Sequence, residues 1–137
     1  LISLIYPYNI VDKDMAQQLV DNLTYHLEKE HGVLRYKFDA YYNKNEDGYS
    51  EEAEWCFGLS WLAIAYKQLG NEEKAREYLD KATKTITRDG TIPELYLSHT
   101  DEYNENTPLG WSESMYVVAL YEVEGSDDTA DPHRHDR

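Results

Sequence analysis

The sequence has 137 residues, enough for one domain around a single core. Its 27 acidic and 13 basic residues give a net charge of −14, a surface that repels phosphates and sets nucleic acid aside as a partner. The longest apolar run, residues 57–66, is too short to span a bilayer and is broken by Gly58 and Ser60, so no membrane partner is expected.

The chain opens at Leu1 with residues that are already apolar and reads as a piece of a longer polypeptide. No basic stretch precedes them as in a signal peptide, and a cytoplasmic location is favoured. The single cysteine, Cys56, allows no internal disulfide and reads as a small buried hydrophobe on a helix rather than a nucleophile. Thirteen tyrosines beside three tryptophans suit faces that stack on sugars, and they equally suit an ordinary core.

Four helices follow in chain order. The first, over 13–31, has Asp12 as N-cap and Gly32 where a left-handed C-terminal cap belongs. Met15, Leu19, Leu23 and Leu27 recur every fourth residue beside Ala16 and Val20, which predicts one buried stripe. The second, over 51–69, stops at Gly70. Its Trp55, Phe57, Leu59, Trp61, Leu62, Ile64 and Tyr66 spread around the whole circumference, as in a buried helix. The third is capped by Asn71 and runs to Arg88, ahead of Gly90; Ala75, Tyr78, Leu79, Ala82 and Ile86 form a single stripe, so it lies outside. The fourth, over 111–123, is mostly apolar, with Met115, Val118 and Leu120 expected to be buried.

The order outer, inner, outer, inner predicts an all-α fold, part of an (α/α)6 toroid of alternating outer and inner helices that is incomplete in this chain. Residues 1–124 form this portion. Residues 125–137 are polar and aperiodic and predict a disordered tail, in which His133 and His135 read as solvated rather than as metal ligands. Four helices cannot close a ring, so the inner faces of the second and fourth should stand exposed unless other helices or another chain cover them.

In a toroid, the connections leading from outer to inner helices gather at one mouth. Here these are 34–43 and 90–112, which would bring Arg35, Asp39, Glu94 and Trp111 together. A carboxylate to activate water, a guanidinium fork for hydroxyls and an aromatic face for a ring fit sugar hydrolysis. Two alternatives stay open. Glu94 follows Pro93 as an acidic residue suited to the positive end of a helix, and Arg35 is placed to form a buried ion pair with Asp39.

Arg35-Tyr36, Asp39, Tyr41-Tyr42, a Trp55 that opens an inner helix, Pro93-Glu94 and Trp111-Ser112 keep one order and approximate spacing over residues 4–123. In this the chain resembles the glucoamylase-type enzymes of glycoside hydrolase family 15 and their relatives, the regulatory subunits of phosphorylase kinase. The resemblance implies inverting hydrolysis of α-glucosidic bonds in oligo- or polysaccharides, with Glu94 as general base. It implies that Arg35 contacts the sugar, that Trp111 shapes the pocket, and that Tyr36, Asp39, Tyr41 and Trp55 belong to the substrate-binding set. Inversion requires a general acid about 6.5–9.5 Å from the base. No part of this sequence matches the segment that carries the acid in that family, so it lies outside these residues. The implied partners are an α-glucan or oligosaccharide and the remainder of the toroid, and no cofactor is called for. The regulatory relatives also carry Pro-Glu-Leu-Tyr, here Pro93-Glu94-Leu95-Tyr96, so a carbohydrate-binding toroid without turnover is the second reading.

Residues 43–54 set oxygen side chains at positions 1, 3, 5, 9 and 12 of a loop with Gly48 at 6, the pattern of a calcium-binding EF-hand. Asn43, Asn45, Asp47 and Glu54 would be its ligands. Asn43 stands where aspartate is usual, Ser50 where an apolar residue is usual, and no helix precedes, so the expected metal content is none and the segment reads as a solvated acidic loop. Residues 61–82 resemble one tetratricopeptide repeat, the basis for a protein-interaction scaffold as a further alternative. Such repeats bury their faces only in several copies, and no second copy is present.

Overall fold

The computed structural model describes residues 1–43 and 51–125. A short 3-10 turn, Ile2–Leu4, leads into α1 (Lys13–Leu27). Asp12 caps α1 as expected, its Oδ1 accepting the Met15 N–H at 2.8 Å. Ala16 and Val20 are buried and Leu19, Leu23 and Leu27 half-buried, but Met15 is exposed, so the stripe starts at Ala16 rather than at Met15.

The helix also stops at Leu27 rather than 31, because residues 28–34 have better partners elsewhere. Glu28 turns extended and bridges to Val33, the Lys29 N–H donates to the Gly32 carbonyl at 2.9 Å, and the Glu28 carboxylate accepts from Tyr78 Oη and Lys81 Nζ. Gly32 is therefore not a helix cap. It is required by close approach: a Cβ there would meet the Trp55 carbonyl oxygen at 2.4 Å.

The second helix is shorter than its sequence predicts. Residues 54–55 form β1 (Glu54–Trp55), and α2 runs Phe57–Leu69, so Trp55 lies on a strand before the helix instead of opening it. α2 is buried over most of its circumference, with Leu59, Leu62, Ala63, Ile64 and Ala65 fully enclosed, Phe57 and Trp61 half-buried and Gln68 exposed. Each such leucine or isoleucine stabilises by about 1.5–3 kcal/mol. Gly70, at φ 81°, ends α2 in the left-handed cap expected of it, with the Asn71 N–H reaching back to the Tyr66 carbonyl.

Asn71 then caps α3 (Glu72–Thr83), accepting the Lys74 N–H at 3.1 Å. Ala75, Tyr78, Leu79 and Ala82 face α2, with Tyr66 stacked on Tyr78. α3 ends at Thr83, not 88, because turns beginning with Thr85 N–H to the Ala82 carbonyl replace its last turn. After β2 (Leu95–Tyr96), α4 spans Gly110–Glu124. Ser112, Ala119 and Val123 are buried, Met115, Val118 and Leu120 half-buried, and Trp111, Val117 and Tyr121 exposed along the opposite side.

α2 is the centre, flanked by α3 and α4, with α1 packed more lightly against it. Between the helices the connections join into a small extended platform. β1 and β2 pair antiparallel with Trp55 opposite Leu95. Val33 exchanges both backbone bonds with Trp55 on one side, and residues 103–106 run beside 94–96 on the other. The interhelical segments thus gather at one end of the helix layers. Among the described residues, no helix is long and apolar enough to cross a membrane. Of the candidate calcium ligands, Asn45 and Asp47 lie outside the described residues, as do His133 and His135 and the tail beyond Gly125.

Candidate active site

Arg35, Tyr36, Asp39, Tyr41 and Trp55 form one cluster. Arg35 Nε donates to Asp39 Oδ2 at 2.6 Å and Nη2 to Oδ1 at 2.9 Å, a bidentate fork. The guanidinium carbon lies 4.2 Å from the Trp55 ring centroid, 5.1 Å from Tyr41 and 5.6 Å from Tyr36. The ion-pair alternative for Arg35 is thus realised, and it leaves the other N–H groups of the fork uncommitted to Asp39. Asp39 is 2% exposed and also accepts the Tyr41 N–H. Its hydrogen bonds with Arg35, above all, hold its carboxyl below the usual carboxylate range, and the same bonds raise the guanidinium. Phe38 and Tyr42, at φ 66° and 54°, bracket this turn in left-handed conformations that bulky residues adopt at a cost of about 1–3 kcal/mol each.

Glu94 sits on the platform, at a bend just ahead of β2 rather than in a helix, which removes its helix-start alternative. Its N–H donates to the Asn106 carbonyl and its carbonyl accepts the Cys56 N–H. The side chain is half-buried, and Oε2 accepts from Asn104 Nδ2 at 2.6 Å and Asn106 Nδ2 at 2.8 Å. The Tyr42 hydroxyl donates to Glu105 Oε1. That bond first, then burial, the Glu105 charge, Tyr41 and the Glu94 charge push the Tyr42 phenol up to about 12. Glu94 thus lies within electrostatic reach of the Tyr41–Tyr42–Trp55 side of the cluster. Cys56 is buried, as expected, but just ahead of α2 rather than on it, and burial pushes its thiol up, so it stays neutral.

Trp111 reaches the cluster through Phe57. Trp55 and Phe57 centroids are 5.7 Å apart, and Phe57 and Trp111 stack at 4.2 Å. A groove of about 720 Å³ runs past Leu19, Leu23 and Leu27 of α1, Phe57 and Trp61 of α2, and Trp111, with Arg35 and Tyr36 also in its wall. Glu94 is not part of that wall; it joins the others across Trp55. Sequence reasoning missed Asn104 and Asn106. Their signal was the Asn-x-Asn spacing, which gains meaning only when residues 103–106 run beside 94–96. Glu54, the last residue of the candidate calcium loop, is buried. It accepts the His31 N–H at 2.7 Å and the His99 N–H at 3.4 Å, with the His31 ring 3.2 Å away. Among the described residues, no group of three or more metal-binding side chains is assembled.

The chain has the fold of part of an all-α toroid, the fold of solved glycosidases. A solved glycosidase matches 89% of this chain and 34% of its own, with a TM-score of 0.75 at 20% identity. A glycosidase variant solved in complex with glucose matches 90% and 34%, with the same TM-score and 20% identity. In sequence, the chain is 26% identical over 140 residues to an uncharacterized glycosyl hydrolase of Methanocaldococcus jannaschii, matching 89% of this chain and 21% of that protein. It is 36% identical over 95 residues to Trehalase 1 of Sulfolobus acidocaldarius, matching 64% of this chain and 16% of the trehalase. The chain therefore spans about a fifth of the length of the curated relatives it matches. No family model matches it.

Proposed function

We propose that this chain is the closing part of a toroidal glycosidase that hydrolyses α-glucosidic bonds with inversion, in the manner of the glucoamylase-type enzymes it resembles. Glu94 is the general base. The general acid belongs to a part of the toroid outside this sequence, and the apolar groove receives that remainder. The observation that carries the reading is the state of Glu94: a half-buried carboxylate on backbone bonded along both edges, beside an aromatic and guanidinium cluster suited to a sugar. The kinship with a glycosyl hydrolase and a trehalase supports the same chemistry. Arg35 is held by Asp39 over Trp55 and offers its remaining N–H groups to sugar hydroxyls, while Trp111 supplies an aromatic face.

The test is hydrolysis of a panel of α-glucosides, trehalose and maltose first, by the complete natural protein and its Glu94→Gln variant. Turnover should fall by at least about a hundredfold while sugar binding persists, and polarimetry of the unaltered protein should report an inverted anomer. Near-normal turnover in Glu94→Gln would remove the base assignment.

A further inference from the structure

A carboxylate with donors on both oxygens is held but blunted as a base, because hydrogen bonds to its charged form lower its basicity at each oxygen. Glu94 is arranged otherwise. Both amide donors, Asn104 Nδ2 and Asn106 Nδ2, converge on Oε2, and among the described residues nothing donates to Oε1. The amide of Asn104 is turned so that its own Oδ1 is buried without a partner among the described residues. The opposite orientation would set oxygen against the carboxylate oxygen. The donors are themselves fixed by the backbone: the Asn104 N–H donates to the Leu95 carbonyl and the Asn106 carbonyl accepts the Glu94 N–H. Asn106 is exposed, so little else in the fold depends on its side chain.

We propose that Asn104 and Asn106 are positioning residues that clamp Glu94 by Oε2 and present Oε1 alone to the attacking water. The proposal rests on the reading of Glu94 as general base. In the step it serves, the water oxygen bonds to the anomeric carbon while Oε1 takes one of its protons. The glycosidic C–O bond breaks, its electron pair leaves with the oxygen, and that oxygen takes a proton from the second carboxyl group, the general acid of the toroid. Without the clamp, Oε1 rotates away from the line of attack and the proton transfer slows, whereas ground-state sugar binding does not change.

The test is a double-mutant cycle in the complete natural protein, followed by hydrolysis of α-glucosyl fluoride, with thermal unfolding as a fold control. Asn106→Ala should lower kcat about tenfold with KM within about twofold. Added to Glu94→Ala, the same change should cause no further loss, because Asn106 acts only through the carboxylate. An additive loss in the Glu94→Ala background, or a rise in KM with kcat intact, overturns the clamp and leaves the base standing. Full activity in Glu94→Ala, or no hydrolysis by the unaltered protein, removes the base and the clamp together.

Discussion

Asp39 is almost wholly withdrawn from water yet stays ionised, because Arg35 grips both its oxygens and the Tyr41 N–H adds a third bond. Replacing Arg35 by leucine strands that carboxylate, an expected cost of about 3 kcal/mol toward the low end for buried pairs, since Arg35 is itself over a third exposed. Asp39→Asn, which keeps an acceptor, should cost about 1 kcal/mol. Urea unfolding measures both. The pH dependence follows from the sign of the shift. A carboxyl lowered on folding contributes its stability above the unfolded-state value of about 4, and loses it as pH falls through the lowered folded value. The stability gap between the unaltered chain and Asp39→Asn should therefore be full at pH 6 and shrink below about pH 4. A gap that widens with acid would contradict the pairing. The pair was legible from its i, i+4 spacing. The stacking of Arg35 on Trp55 was not, since those residues are 20 positions apart and meet only through the platform.

Two glycines separate what elements demand of the backbone from what they demand of space. Gly70 holds a left-handed cap with nothing within 4 Å of an added Cβ, so Gly70→Ala should cost about 1 kcal/mol. At Gly32 the added carbon strikes the backbone of β1 at 2.4 Å, and Gly32→Ala should cost more, about 3 kcal/mol, by forcing residues 28–33 off Trp55. Chemical denaturation of the two variants checks the order. A smaller cost at Gly32 would contradict the close approach.

The caps at Asp12, Asn71 and Gly70 were readable because their partners lie within four residues. The helix ends near 28, 56 and 84 were not. Strands of two residues are too short to show an alternating pattern, and Glu54 and Trp55 pair with residues 42 and 40 positions away. The apolar run of α2 accordingly drew the predicted helix back over residues that the platform takes for itself.

At the scale of the molecule, hydrophobic periodicity is local information and disclosed the order of outer and inner helices. The meeting of three connections on one platform is non-local, and it decides which residues surround Glu94. The sequence predicted that Arg35, Glu94 and Trp111 share a mouth. Arg35 and Trp111 line one groove, while Glu94 is not in its wall and meets them across Trp55, whose neighbour Cys56 donates its N–H to the Glu94 carbonyl.

That division also sorts the three indoles. Trp61 is half-buried and Trp111 is 52% exposed, and both border the groove, whereas Trp55 is sealed at 4% beneath a guanidinium. The molecule therefore carries two optical reporters with separate duties. Covering the groove should shift tryptophan emission to shorter wavelength through Trp61 and Trp111, and a Trp111→Phe variant should lose much of that shift. A sugar bound beside Arg35 should alter the intensity of Trp55 while leaving the colour of Trp61 unchanged.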